Sequence, residues 1–151
     1  MIQSIPYKIS KIETMQFAIF PENFINGQEV QINTNCGYNV RSDLNQVRNI
    51  VSVNYTQNEK LLMVVQLACY FDIAPEGVNI IKAEGKIPVD FLRYMGSISV
   101  GTMRGVIHAK TEGTILNPVV MPPINLEEMV KNDLMLLGLD FSDPDKNAND
   151  Q

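Results

Sequence analysis

Apolar and polar positions alternate along the first half of this chain, and the period then changes. From Tyr7 to Phe20, apolar side chains at Ile9, Met15, Phe17 and Ile19 predict a long strand, bulged near Ile12. Pro21 and Gly27 interrupt it. Val30, Ile32, Thr34, Cys36, Tyr38 and Val40 then share one face, with Gln31, Asn33, Asn35 and Asn39 on the other, as in a half-buried antiparallel strand. R-S-D-L-N-Q supplies turn residues, and Val47, Val51, Val53 and Tyr55 mark a third strand. Q-N-E-K predicts a tight hairpin into the most apolar run, K-L-L-M-V-V-Q-L-A-C-Y-F-D-I-A. There Leu61, Met63, Val65, Leu67, Cys69, Phe71 and Ile73 lie on one face, and Leu62, Val64, Ala68 and Tyr70 on the other. A strand apolar on both faces needs cover on both, from its own chain or from another subunit.

Beyond P-E-G and a short mixed stretch, the spacing becomes helical. Pro88 can open a long helix with Leu92, Met95, Ser99, Met103 and Val106 on one side. Gly96, Gly101 and Gly105 lie within it, each costing about 1 kcal/mol relative to alanine. Close approach of another backbone is the usual compensation, either on the helix's own sheet or on a helix of a second subunit. G-T-I-L-N-P-V-V-M-P-P-I-N follows, apolar at Ile115, Leu116, Val119, Val120, Met121 and Ile124 but interrupted by three prolines, so it predicts an extended apolar connection. Asn125 and Glu128 form a capping box for a second helix, with Leu126, Met129, Val130, Leu134 and Leu137 as its stripe and Gly138 as its terminator. The expected organisation is one α+β domain over 1–140, with a four-stranded antiparallel sheet, a long helix, an apolar crossover and a C-terminal helix. A disordered acidic tail is expected over 141–151.

Composition narrows the function classes. The chain has 151 residues, 45% hydrophobic and 19% charged, as expected of one globular domain, and no apolar run is long enough to span a bilayer. M-I-Q-S-I-P-Y-K does not read as a secretory signal, so the expected compartment is the cytoplasm, with no direct membrane insertion. Net charge is −5, and the excess acid lies after residue 120, which leaves no basic stripe for nucleic acid. Cys36 and Cys69 fit free buried thiols, a disulfide or a reactive role being less favoured. His108 is the single histidine, so a histidine cluster for metal is excluded, and its place in the last helical turn suits a capping role. Phosphate loops, dinucleotide fingerprints and nucleophile elbows are missing from the sequence. No catalytic residue, metal or cofactor is therefore assigned. Surplus apolar surface points to a non-catalytic binding protein.

Around these features the chain resembles the SecB family of protein-export chaperones. The likeness is most specific at E-G-T (112–114), the apolar crossover and P-I-N-L-E-E-M (123–129), with Pro123, Asn125 and Glu127 at the family's positions and Leu126 where the family has Phe. Q-L-A-C-Y-F-D-I-A (66–74) is similar to the family's Q-x-x-x-x-F-x-I, and Arg104 stands where its long helix carries an Arg. The resemblance implies an ATP-independent holdase, acting in protein export and binding unfolded polypeptide clients in a hydrophobic groove. Ile115, Leu116, Val120 and Met121 of the crossover would line that groove, with Leu126 and Met129 of the last helix and Phe20 and Phe24 after the first strand. It also implies a homo-oligomeric dimer of dimers, with Gly96, Gly101 and Gly105 where helix meets helix. The family's first strand reads D-I-S-F-E; here T-M-Q-F-A (14–18) lacks both acids, so docking of the SecA motor is left open. Two alternatives stand beside the general holdase: a dedicated partner of an antitoxin or other single client, and a hot-dog-type ligand-binding or enzymatic domain.

Overall fold

The computed structural model describes residues 4–136. Its four long strands, β1 (Tyr7–Ile19), β2 (Gln31–Val40), β3 (Gln46–Gln57) and β4 (Lys60–Ile73), form one antiparallel sheet in the order β1-β4-β3-β2. That order explains the two-sided apolar run. β4 lies inside the sheet, with Val65, Leu67, Cys69 and Phe71 buried on the helix-covered face and Ala68 buried on the opposite one, while Leu62, at a register break against β3, joins the same core as Val65 and Leu67. β2 is an edge, and its alternation of half-buried and exposed residues is complete from Gln31 to Val40. β1, the other edge, slips register twice against β4, between Ile9 and Lys11 and between Thr14 and Gln16, on either side of the single bulge expected near Ile12. The β3–β4 hairpin closes through Asn58 and Glu59, both at positive φ (49° and 66°), as a two-residue turn matched to strand twist requires.

Two helices follow the sheet. α1 (Pro75–Glu84), absent from the sequence-based reading, starts on Pro75, buries Val78 and Ile81, and ends at Gly85. The left-handed φ of 67° at Gly85 lets its N–H reach the Ile81 carbonyl at 2.9 Å. After β5 (Lys86–Ile87) comes α2 (Val89–Thr111), the expected long helix, packed on β3 and β4. Its buried side carries Leu92, Met95, Val100, Met103 and Ile107.

The expected C-terminal helix is a single turn, α3 (Leu126–Met129). Asn125 does cap it, its Oδ1 accepting from the Glu127 N–H at 3.1 Å, but Val130 is already extended. Leu134 belongs instead to β6 (Leu134–Met135), paired with β5. The last residue of the predicted stripe, Leu137, its predicted terminator Gly138 and the tail predicted over 141–151 lie outside the described residues. Cys36 and Cys69 are both free thiols.

Candidate functional site

α2 is the spine of the candidate site. Its first N–H, on Val89, has no partner within the helix, and the Asp133 carboxylate accepts from it at 2.7 Å. The same carboxylate meets the Lys86 ammonium at 3.0 Å; these two donors, Lys86 first, hold the Asp133 pKa below its ordinary value, and the carboxylate in turn raises that of Lys86. The segment after α3 is thus tied to the start of α2. On the buried side of the helix, the Tyr38 hydroxyl donates to the Leu92 carbonyl, and burial keeps that phenol protonated far above its ordinary range. Gly96 lies against this contact: a Cβ there would stand 2.9 Å from Tyr38 Oη and 3.2 Å from a methyl of Leu126.

From the far end of α2 the chain turns back and runs along the helix. Two guanidinium groups grip its main chain. Arg104 donates from Nε to the Met121 carbonyl (2.9 Å) and from Nη2 to the Pro122 carbonyl (3.1 Å). Arg93, about three turns earlier on α2, donates from Nε to the Val130 carbonyl (2.9 Å) and from Nη2 to the Glu127 carbonyl (3.3 Å). Asn117 Nδ2 fastens the first turn of the crossover to the His108 carbonyl at 3.0 Å.

Between these fastenings the crossover alternates. Ile115 and Val120 are 54% and 62% exposed, whereas Leu116 and Met121 are 0% and 1% exposed. This corrects the expectation for Leu116 and Met121: they are pegs in the chain's own core, and the connection is not extended throughout, Leu116 turning inward from a run of turns over 112–118 and Met121 from the stretch that follows, beside the Arg104 fork. Leu126 and Met129 are half-buried, Leu126 against Gly96. Phe20 and Phe24 are half-buried around the short 3-10 turn Pro21–Asn23. The loop that follows is held by the buried Gln57 amide, which accepts from the Ile25 N–H (2.8 Å) and donates to the carbonyls of Ile25 (3.0 Å) and Gln28 (3.1 Å).

The glycines separate. Gly96 is buried and meets Tyr38 and Leu126 of its own chain, which corrects its place in a contact between subunits. Gly101 and Gly105 are exposed with open space where a Cβ would stand. Sequence reasoning also missed an apolar region on the opposite flank of α2. Ile9, Ile12 and Tyr94 are 44%, 54% and 54% exposed, and the Lys110 ammonium lies over the Phe17 ring at 5.2 Å. Tyr7 is the centre of an aromatic cluster, with Phe71, Phe91 and Tyr94 ring centroids each 5.8 Å away. Burial first, then the hydrogen bond with Tyr94, pushes the Tyr7 phenol up to about 12. An open cleft of about 340 Å³ lies between Ser4, Ile5, Tyr7 and the start of α2 at Pro88, Asp90, Phe91 and Tyr94. The phenylalanine and tyrosine i, i+3 spacing on α2 was its one visible signal.

The chemistry of these surfaces is apolar contact. Among the described residues no group of three or more His, Cys, Asp and Glu side chains could hold a metal ion. His108 is exposed at the end of α2, 3.7 Å from Glu112.

Neither a protein-family model nor a curated protein matches the sequence. Among solved structures, the chain is similar to a SecB-like chaperone of Mycobacterium tuberculosis in complex with a ChAD peptide from the HigA1 antitoxin. The TM-score is 0.50 and the identity 12%, with 79% of this chain and 90% of that one covered. The fold is therefore the SecB-like α+β arrangement, not a hot-dog one.

Proposed function

We propose that this chain is an ATP-independent chaperone that holds non-native polypeptides against apolar surface without catalysis. The supporting observation is the crossover: Ile115 and Val120 stay 54% and 62% exposed beside neighbours that are fully buried. Folding has anchored the segment and still left apolar side chains outside. Pro118, Pro122 and Pro123 withhold main-chain donors, so the exposed stretch cannot join a sheet and cover itself. A client would gain many small apolar contacts and little sequence-specific hydrogen bonding, which suits unfolded chains. Phe20, Phe24, Leu126 and Met129 would extend the surface as half-buried contributors. In this reading the protein works in the cytoplasm, its clients include export substrates, and exposed Gly101 and Gly105 meet a second copy in a dimer of dimers. Among the described residues no helix is long and apolar enough to cross a membrane. SecA docking is no part of the reading, since the first-strand acids are missing.

A second reading, a dedicated partner for one client, is favoured by the similar structure having been solved with an antitoxin peptide. One experiment addresses both. Aggregation of several unrelated unfolded proteins is followed by light scattering with wild type and with an Ile115→Ser, Val120→Ser double variant. Suppression of all of them, weakened in the double variant, supports the general holdase. Suppression of none, with tight binding of one short peptide, supports the dedicated partner. Equal suppression by wild type and the folded double variant refutes the crossover as the holding surface.

A further inference from the structure

We propose that the crossover between α2 and α3 is a latch, held shut by the Arg104 guanidinium and able to lift, uncovering Leu116, Met121 and the Tyr55 hydroxyl. The inference deepens the chaperone reading, and its link to clients rests on that reading. Leu116 and Met121 are the fully buried apolar side chains of the crossover, so in the closed chain they are unavailable to any partner.

The closed position is weakly tied. Among the described residues, the main-chain hydrogen bonds made by 112–124 are local turns: Thr114 N–H to Thr111 (2.9 Å), Asn117 N–H to Thr114 (3.3 Å) and Val119 N–H to Leu116 (3.0 Å). None joins a strand. From Val120 to Ile124 the segment is held to the body of the protein by the Arg104 fork on the Met121 and Pro122 carbonyls, by the buried Met121 side chain and by half-buried Ile124, with no main-chain hydrogen bond to the sheet among the described residues. Segments with few anchoring hydrogen bonds are those that open locally at low free energy.

A second observation opposes closure. Tyr55 is 0% exposed, and its hydroxyl finds no hydrogen-bond partner among the described residues. A buried hydroxyl without a partner carries its full desolvation penalty. Burial pushes the Tyr55 phenol up to about 12 and the Arg104 charge works against that rise, which places the phenol and the latch guanidinium in the same neighbourhood. Closure therefore hides two apolar pegs and strands the Tyr55 hydroxyl, and opening reverses both. Such opposed contributions produce two positions that a client could bias.

Amide hydrogen exchange of the full chain, read by mass spectrometry on peptides from the crossover and from β4, tests this without any client. Tyr55→Phe removes the stranded hydroxyl from the closed position, so crossover exchange is expected to slow about tenfold while β4 is unchanged. Arg104→Met removes the fork and is expected to speed crossover exchange about tenfold, again without change in β4. The proposal is overturned if Tyr55→Phe speeds crossover exchange or leaves it unaltered, or if Arg104→Met acts on β4 as strongly as on the crossover. Should Arg104→Met fail to fold, Tyr55→Phe decides alone. A saturating fluorescein-labelled, reduced and carboxymethylated lactalbumin then tests the link to clients. Faster crossover exchange in the complex supports it, and unchanged exchange with the client bound overturns it. No binding at all defeats the chaperone reading, and the link to clients with it, while the exchange results without client stand on their own.

Discussion

Replacing Leu116 by alanine, and separately Val120 by serine, should divide stability from function within one short segment. Leu116 is 0% exposed, so the truncation removes apolar contacts and leaves a void that a proline-bounded segment clamped by Arg104 closes only in part. Such a change costs about 3 kcal/mol, within a range of about 2–5. For a chain of this size each 1 kcal/mol shifts Tm by roughly 2–4 °C, so a fall of about 6–12 °C is expected. Val120 is 62% exposed. Its replacement should change stability by no more than about 0.5 kcal/mol, while a client that would have buried this side chain loses up to about 1.5 kcal/mol of contact, roughly tenfold in affinity. The chain has no tryptophan, so unfolding is best followed by circular dichroism in denaturant, with client binding by fluorescence anisotropy. An unchanged midpoint for Leu116→Ala refutes the alternation argued for the crossover. So does a Val120→Ser variant as unstable as Leu116→Ala.

Four further outcomes follow from the geometry. Gly96→Ala should destabilise by about 1–3 kcal/mol through overpacking on Tyr38 and Leu126, despite alanine's helix preference. Gly101→Ala, which meets nothing within 4 Å in the single chain, should stabilise the monomer by up to about 1 kcal/mol; mass by light scattering shows whether it also weakens assembly. Glu59→Gly relieves a left-handed φ of 66° in the β3–β4 turn and should raise the thermal midpoint by about 1 kcal/mol equivalent. Asp133 has a lowered folded pKa, so its contribution is present above its unfolded pKa and is lost as pH falls through the folded value. An acid-unfolding titration of Asp133→Asn should be flatter over that window than wild type, and an unchanged curve would discount the Lys86 and Val89 contacts.

The sheet was legible because alternation is local. β2 and β3 lie where apolar and polar residues exchange every second position, and the two-sided apolar run of β4 announced a strand needing cover on both faces. α1 was passed over because Gly77 and Asn79 dilute a ten-residue helix whose stripe is only Val78 and Ile81, although Pro75 and Gly85 mark its ends. The last helix was overread for the opposite reason. Leu126, Met129, Val130 and Leu134 have helical spacing, but Leu134 pairs with Ile87 and Asp133 serves the start of α2, and partners some 45 residues away do not show in a local period. Within the candidate site, the apolar character of the crossover was readable, while the division between pegs and exposed residues was not. Every one of those side chains is apolar, and only the packed helix decides which are turned inward. The aromatic cleft joins Tyr7 to Phe91 and Tyr94 across more than eighty residues, and only the i, i+3 spacing of the two helix aromatics could show in a local pattern.

The two guanidinium forks hold the connection after α2 by its carbonyl oxygens alone, four of them, at Met121, Pro122, Glu127 and Val130. Every amino acid supplies that acceptor, proline included. Side chains along the connection can therefore be exchanged over generations without breaking the fastening, provided the two arginines persist. Ancestry could then fade almost completely from the wording of this segment while its path along the helix stayed the same, and the surface offered to a partner would be free to change with the partner.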